Sequence, residues 1–215
     1  MSDLDLFRQW VCISLASVGF VIFMGVKNMG IKAFIGPPKK IPLYLRIGIS
    51  LSKKVTKKDL LAPKLLAWYP KVAISSGILE LMVAHGRKDL NVRLLKLIRV
   101  QASISVACPF CIDMNSYEYA KCGISEEEMR GITEKADLEE IDSFSMKERL
   151  AIEYARLISQ TPVEISKEFM EEVKSSFTER EIVILSSTAA QVNYWARMLK
   201  GLGVPPEGFS DRCDL

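Results

Sequence analysis

The chain has 215 residues, of which 49 % are apolar and 26 % are charged, so it is long enough to bury a hydrophobic core of its own. It lacks low-complexity tracts and repeats. The chain has five cysteines, an odd number, and it is too long for a disulfide-stapled miniprotein. Its cysteine content therefore favours a reducing compartment. Helix-forming residues dominate and strand-like alternation is scarce, which predicts an all-α protein.

The net charge of +3 is unevenly distributed along the chain. Residues 1–71 carry 12 Lys and Arg against 3 Asp and Glu, whereas residues 72–215 carry 17 against 23. A basic N-terminal third suits an anionic partner, either lipid or nucleic acid. We expect contact with a membrane and no nucleic acid.

The first predicted element is the uncharged segment from Trp10 to Val26, which is at the short end of the range for a membrane-spanning helix. We predict a membrane span here; the alternatives are a buried core helix and an N-terminal hairpin partner. A cleaved signal peptide is disfavoured because the preceding residues are acidic. The lysines that follow the segment orient its C-terminal side, and hence the rest of the chain, toward the cytoplasm.

The segment Gly36–Pro42, with the sequence GPPKKIP, breaks helices and marks the predicted domain boundary. Residues 1–40 are predicted to form an apolar helix and a basic linker, and residues 41–215 a helical domain. Basic and apolar residues alternate just after the boundary. This pattern fits either a helix on an anionic bilayer surface or a solvated linker helix.

A succession of helices is predicted beyond the boundary. Pro70 separates two of them, and Gly86 ends the second. Residues 92–107 have apolar side chains at helical spacing, and residues 179–203 form the last long helix. Three capping boxes, in which a hydroxyl residue precedes a glutamate by three positions, mark further helix starts. They are Ser125–Glu128, Ser145–Glu148 and Thr178–Glu181.

Cys108 and Cys111 form a Cys-x-x-Cys pair where Pro109 predicts the first turn of a helix, which we expect to run to Lys121 or Cys122. A helix N-terminus favours a thiolate, and this spacing lets both sulfurs reach one disulfide across a single turn. The alternatives are a zinc site, which needs about four ligands in a chain with one histidine, and an unreactive buried pair. We predict a redox dithiol with no metal and no cofactor.

The sequence around this pair resembles the alkyl hydroperoxidase D family of the carboxymuconolactone decarboxylase superfamily. The resemblance rests on KLIRVQASISVACPFCIDMNSYEYAKCGISEEEM (residues 96–129) and on FTEREIVILSSTAAQVNYWARMLKGLGVPPEGF (residues 177–209), and it spans roughly residues 60–209. It implies an all-α bundle, a homo-oligomer such as a trimer, and an antioxidant dithiol that reduces a peroxide or a partner disulfide. A lipoyl or thioredoxin-like protein is the implied electron donor.

The family pattern Glu-x11-Cys-x2-Cys-x3-His is broken at both proton-relay positions, which hold Lys96 and Asn115. Asparagine can orient a thiol or water but cannot pass a proton, and a lysine either lowers the pKa of a nearby thiol or lies on the surface. The predicted catalytic residues are Cys108, Cys111, Asn115 and Lys96, with Cys111 attacking and Cys108 resolving. Candidates for a substitute relay are Glu80, His85, Asp113 and Glu118.

The predicted function is therefore a thiol-dependent antioxidant oxidoreductase, a peroxidase or a thiol-disulfide oxidoreductase. Two alternatives remain at this point. One is a non-catalytic oligomeric scaffold that has lost the proton relay. The other is a lactone decarboxylase-type enzyme, which the cysteine pair and the shortage of histidines disfavour.

Overall fold

The structure is a computed structural model that describes residues 32–83, 85–133, 138 and 141–210. All regular secondary structure within these residues is helical, which confirms the predicted class. The α-helices of this part are α1 (Leu43–Thr56), α2 (Leu61–Leu66), α3 (Pro70–Val83), α4 (Val92–Ser105), α5 (Pro109–Ser116), α6 (Glu126–Thr133), α7 (Met146–Ser159), α8 (Lys167–Ser176) and α9 (Glu179–Gly201). A short 3-10 helix, Tyr119–Cys122, lies between α5 and α6.

Helix α4 is the centre of the bundle and packs against α5, α7 and α9. Its start is capped by Asn91, whose side chain accepts a hydrogen bond from the amide of Arg93. Apolar residues occupy more than one face of the helix, so most positions after its first turn are buried. Leu95 belongs to a core cluster shared with α7, α8 and α9, whereas Leu97 belongs to a second cluster shared with α6 and α7.

The three predicted capping boxes are present in the structure. In Ser145–Glu148 and in Thr178–Glu181, the hydroxyl accepts from the glutamate amide and the glutamate carboxylate accepts from the cap amide. The pair Ser125–Glu128 makes the same two bonds, at 3.1 and 2.8 Å. Each box satisfies two amide groups that a helix start would otherwise leave unpaired.

An ion-pair network joins the start of α4 to α6 and α7. The guanidinium of Arg93 donates to Glu128 and to Glu148, each at 2.6 Å. Burial raises the pKa of Glu128, but the hydrogen bonds from Arg93 and from the Ser125 amide outweigh burial and lower the pKa to about 2. Glu128 is only 2 % exposed, so this network ties three helix starts together inside the protein.

The predicted extent of the cysteine-bearing helix is wrong, because α5 ends at Ser116 rather than at residue 121 or 122. Tyr117 adopts an extended conformation (ψ 131°) and Glu118 a left-handed one (φ 52°), so the chain leaves the helix there. The Tyr117 carbonyl, which a longer helix would have used internally, instead accepts from the ammonium of Lys96 at 2.7 Å. A partner from α4 therefore helps to end α5.

The predicted membrane span, Trp10–Val26, lies outside the described residues. Within the ranges given above, no helix combines the length and hydropathy needed to cross a bilayer. The described part of the linker packs on the bundle, since the Phe34 amide donates to the Leu202 carbonyl and the Trp68 indole donates to the Gly36 carbonyl. The ring of Phe34 covers Gly203, where an added Cβ would lie 2.8 Å from the ring.

Helices α1 and α3 leave apolar side chains exposed at helical spacing. Lys71 and Glu80 are the two charged residues of α3. The exposed residues of α3 are Ile74, Ile78, Leu81 and Met82, and those of α1 are Leu43, Tyr44, Ile47 and Leu51. Such a concentration of exposed apolar area is typical of a surface that something else covers.

Candidate functional site

A tight turn between α4 and α5 positions the cysteine pair. The Ala107 amide donates to the Ile104 carbonyl, and Ala107 adopts a left-handed conformation (φ 50°) that is uncommon outside glycine. Cys108 follows in extended conformation as the N-cap of α5, and Pro109 occupies the first helical position, as predicted. The turn therefore directs the free amides at the start of α5 toward the sulfur of Cys108.

The two sulfur atoms lie 3.0 Å apart, as free thiols. This separation exceeds the roughly 2.05 Å of a disulfide bond, but only a small movement is needed to close one. Both residues are buried, with Cys108 1 % exposed and Cys111 2 % exposed. Geometry thus permits a disulfide within one chain.

The environment makes the two thiols unequal. The pKa of Cys108 is lowered, chiefly by a hydrogen bond from the Cys111 thiol and also by the amides of Cys111 and Phe110 and the charge of Lys200. The pKa of Cys111 is raised, because its proton is held by Cys108 and because the group is buried. This asymmetry favours a thiolate on Cys108, whereas the sequence led us to expect Cys111 as the attacking residue.

The pair sits in an apolar cluster made by α2, α5 and α9. Leu65, Phe110 and Leu199 are buried members of this cluster, and Val106 and Trp195 pack against it. These side chains therefore exclude water from the sulfurs in this conformation. A reactant reaches the sulfurs only after some of the side chains of this cluster move. Burial disfavours charge, and the hydrogen bond from Cys111, the amides of α5 and the Lys200 ammonium oppose that effect at Cys108.

The two residues at the relay positions do not bond to the sulfurs. Lys96 donates to the Tyr117 carbonyl, as described above. The Asn115 amide donates to the Ser103 hydroxyl at 2.8 Å, and Ser103 in turn donates to the Arg99 carbonyl within α4. Asn115 thus fastens α5 to α4 beside the dithiol, and a catalytic role for either residue stays a prediction.

Two of the candidates for a substitute relay are committed to other contacts. Asp113 is fully buried and accepts from the amides of Glu207 and Ser210, which holds the C-terminal tail against α5. Glu118 forms an ion pair with Lys121 at 2.5 Å. These two carboxylates therefore hold neighbouring parts of the backbone in place.

The other two candidates lie along α9. His85 shares a hydrogen bond with Ser187 at 2.8 Å, and burial lowers its pKa. Glu80 accepts from the indole of Trp195 at 2.7 Å, and burial raises its pKa even though that hydrogen bond opposes the shift. Since Trp195 also packs against the dithiol cluster, Glu80 is the candidate with a described connection to the site.

The Asn-x-Trp-x-Arg motif of the last helix joins three elements. Asn193 donates to the Ser159 hydroxyl at the end of α7, and Arg197 donates to the Thr161 hydroxyl just beyond it. Trp195 points to the other side, toward α3. The motif therefore fixes the segment after α7 next to the cysteine turn.

Sequence reasoning missed Lys200 as a part of the site. Its ammonium donates to the Val106 carbonyl at 3.1 Å, and its charge helps to lower the pKa of Cys108. Lys200 lies 92 residues beyond Cys108 and 89 beyond Cys111, so no local pattern links them. Among the described residues, no group of three or more His, Cys, Asp or Glu side chains is arranged to hold a metal.

Comparisons with known sequences give distant relatives. No family model matches the chain. The uncharacterized protein YnjA of Escherichia coli K12 is 25 % identical over 175 residues, which cover 80 % of this chain and 93 % of the relative. The uncharacterized protein YdfG of Bacillus subtilis 168 is 26 % identical over 118 residues, which cover 54 % of this chain and 78 % of the relative.

Solved structures with a similar fold include a peroxidase-related protein from Ralstonia eutropha JMP134 described as an alkylhydroperoxidase AhpD core. Its TM-score is 0.68 at 13 % identity, and the match covers 84 % of this chain and 94 % of that one. The debrominase Bmp8 in complex with 2,3,4-tribromopyrrole matches with a TM-score of 0.67 at 14 % identity, over 83 % of this chain and 94 % of that one. These likenesses confirm, at the level of the fold, the resemblance seen in the sequence: the chain has the fold of the alkylhydroperoxidase AhpD core.

Proposed function

We propose that the protein is a dithiol oxidoreductase in which Cys108 and Cys111 reduce a hydroperoxide or a disulfide. The observation that carries the proposal is the sulfur pair itself, with 3.0 Å between the atoms and a thiolate favoured on Cys108. A thiolate at a helix N-terminus is the reactive form of cysteine, and its neighbour is already placed to close a disulfide.

In the proposed peroxide reaction the Cys108 thiolate attacks the terminal oxygen of the hydroperoxide. The O–O bond breaks, the alkoxide takes the proton of the Cys111 thiol and leaves as an alcohol, and Cys108 becomes a sulfenic acid. The Cys111 thiolate then attacks that sulfur, and hydroxide leaves and takes a proton from solvent to give water. The dithiol has lost two electrons, and a dithiol reductant restores it.

The hydrogen bond between the two thiols gives this scheme a proton source without the missing relay. The Cys111 thiol is hydrogen-bonded to the attacking Cys108 sulfur and so holds its proton close to the departing alkoxide. The first step therefore needs neither a carboxylate nor an imidazole at positions 96 and 115. The second step leaves one proton to come from solvent through a buried site. We therefore expect disulfide closure to be slower than in a site with a complete relay.

The proposal is tested by titrating the thiols of the purified, reduced protein with cumene hydroperoxide. Two thiols should disappear per hydroperoxide consumed, and peptide mapping should join Cys108 to Cys111 within one chain. Thiols that stay inert in an intact oligomer would instead support a non-catalytic scaffold. Turnover of a lactone by the Cys108→Ser/Cys111→Ser variant would support a decarboxylase-type enzyme.

A second candidate reaction is reductive dehalogenation, which the shared fold with a debrominase favours. Here the dithiol supplies the same two electrons and the Cys111 thiol supplies the proton: a carbon–hydrogen bond replaces the carbon–bromine bond, bromide leaves, and the disulfide forms. Release of bromide from 2,3,4-tribromopyrrole, measured with dithiothreitol as the reductant, separates this reaction from peroxide reduction. The variant lacking both thiols is the control.

We also propose that a second copy of the chain covers the exposed face of α3. Its apolar residues recur at a spacing that forms one continuous stripe, and this stripe carries no charge that would oppose self-association. Sedimentation of the full-length protein should show an oligomer, such as a trimer. Ile78→Glu should dissociate it, whereas Lys54→Glu on α1 should not.

Attachment to a membrane through residues 10–26 remains a proposal about the part of the chain outside the described ranges. On the described part, α1 presents exposed apolar residues beside exposed basic ones, Arg46, Lys53 and Lys54, which suits the surface of an anionic bilayer. Flotation of the full-length protein with phosphatidylserine vesicles tests this placement. Release by high salt would indicate surface contact rather than a span.

A further inference from the structure

A cleft of about 720 Å³ lies immediately beside the turn that carries the dithiol. Its walls come from the end of α4, the end of α7, the segment after α7 that includes Thr161 and Glu164, and the last turns of α9. The volume is in the range of small-molecule sites. Val106, which lines the cleft, precedes Cys108 by two residues in the same turn.

Two cations of α9, Arg197 and Lys200, line this cleft three residues apart. At that spacing their side chains lie on the same face of the helix. Neither forms an ion pair with a carboxylate of the described residues, although Glu164 of the segment after α7 also lines the cleft. Arg197 is oriented by its hydrogen bond to the Thr161 hydroxyl at 3.0 Å.

Lys200 connects the cleft to the dithiol. Its ammonium donates to the Val106 carbonyl at 3.1 Å, and Val106 packs against the apolar cluster that contains both sulfurs. A carboxylate accepts a stronger hydrogen bond from an ammonium than a neutral carbonyl does. An anion bound in the cleft therefore competes with the Val106 carbonyl for Lys200 and loosens the turn that leads into Cys108.

We infer that this cleft binds the carboxylate of a small anionic substrate, a disulfide or hydroperoxide bearing an acid group, with Arg197 and Lys200 as its ligands. The inference rests on the proposed dithiol function and names the substrate class for it. Glu164, which also lines the cleft, repels negative charge, so the cleft selects for the position of the acid group as well as for its sign.

The test compares two aromatic disulfides that differ in charge, 5,5′-dithiobis(2-nitrobenzoate) and the uncharged 2,2′-dithiodipyridine. With either reagent the Cys108 thiolate attacks one sulfur, the S–S bond breaks and the first aromatic thiolate leaves. Cys111 then loses its proton to solvent, attacks Cys108 and releases the second thiolate. Each reagent gains two electrons, and both reactions are followed by absorbance in the full-length reduced protein.

The ratio of the two rate constants is the readout. Lys200→Met should raise the pKa of Cys108. This change alters both rate constants by the same factor, so it cancels in their ratio. Recognition of the acid group does not cancel, and the ratio should fall about tenfold or more in Lys200→Met and further when Arg197→Met is added. Lys54→Met, which removes an exposed lysine of α1, should leave the ratio within about twofold. An unchanged ratio in both cleft variants overturns the inference.

A second measurement needs no reactive thiol. Binding of 2-nitrobenzoate to the Cys108→Ser/Cys111→Ser variant should shift the amide resonances of Val106, Thr161 and Lys200, and Lys200→Met should abolish these shifts. If the anion binds but neither disulfide reacts, the dithiol function fails and the anion site stands. If both reagents react but no anion binds, the dithiol function stands and the anion site is refuted.

Discussion

The two ends of α4 hold buried polar groups in different ways. At its start, Arg93 is bound by two carboxylates, and every charge in the network has an opposite neighbour. Beyond its end, two chemically identical thiols face each other in an apolar cluster, with one pKa lowered and the other raised. The first arrangement neutralises charge within a fixed geometry, and the second concentrates charge on one atom.

The difference separates residues that stabilise the fold from residues that can react. Ions that are paired and hydrogen-bonded from several sides resist any change of protonation, which is why the pKa of Glu128 falls to about 2. The Cys108 sulfur has a lowered pKa but no opposite charge bonded to it, so its thiolate keeps a lone pair for an incoming reactant. The predictions below test this contrast.

The largest expected effect is on the first chemical step. Cys108→Ser should reduce the rate with 2,2′-dithiodipyridine to that of the variant lacking both thiols, because only Cys108 has backbone amides and the charge of Lys200 to stabilise a thiolate. Cys111→Ser should retain the first attack but stop there, since nothing closes the disulfide. Mass spectrometry should then find one reagent group attached to Cys108. A stable adduct on Cys111 in the Cys108→Ser variant would reverse the assignment.

The next effect concerns the missing relay. Asn115→His combined with Lys96→Glu restores an imidazole and a carboxylate, and should raise peroxide consumption by about a hundredfold to a thousandfold if these positions face the site during turnover. The Lys96→Gln variant is the control, because glutamine can still donate to the Tyr117 carbonyl without supplying a relay. A folded double variant no faster than the parent would show that proton transfer from the Cys111 thiol to the departing alkoxide already suffices.

In the Arg93 network, Glu128→Gln should lower the free energy of unfolding by about 2 kcal/mol, because it removes the carboxylate to which Arg93 donates two charge-assisted hydrogen bonds and leaves only Glu148. Urea unfolding measures the change. Glu171→Gln removes the carboxylate of an exposed pair with Lys174 and should cost less than about 1 kcal/mol. Equal losses in the two variants would mean that the network contributes no more than a surface pair.

The smallest expected effect is on the pH dependence of the free energy of unfolding. The pKa of Glu128 falls from 4.5 to about 2 on folding, so its contribution to stability is complete above pH 4.5 and is lost as the pH falls from 4.5 toward 2. The unfolding free energy of the parent should therefore drop more steeply over this interval than that of Glu128→Gln. Parallel curves for the two proteins would contradict the lowered pKa.

The sequence by itself determined the local structure well. Side-chain periodicity predicted an all-α protein, and each predicted capping box forms because its two partners are only three residues apart. The place of the dithiol at the start of α5 followed from Pro109 for the same reason. These features depend on neighbours along the chain, which the sequence lists directly.

Only the tertiary structure decided the character of the two thiols and the end of α5. Lys200 approaches Cys108 from a helix far along the chain, and Lys96 ends α5 by binding Tyr117 instead of turning toward the sulfurs. Asp113, two residues past Cys111 in the sequence, accepts hydrogen bonds from the amides of the C-terminal tail. Electrostatic fields and hydrogen bonds depend on distance in space, so which cysteine ionises could not be predicted from a motif whose two thiols look alike in sequence.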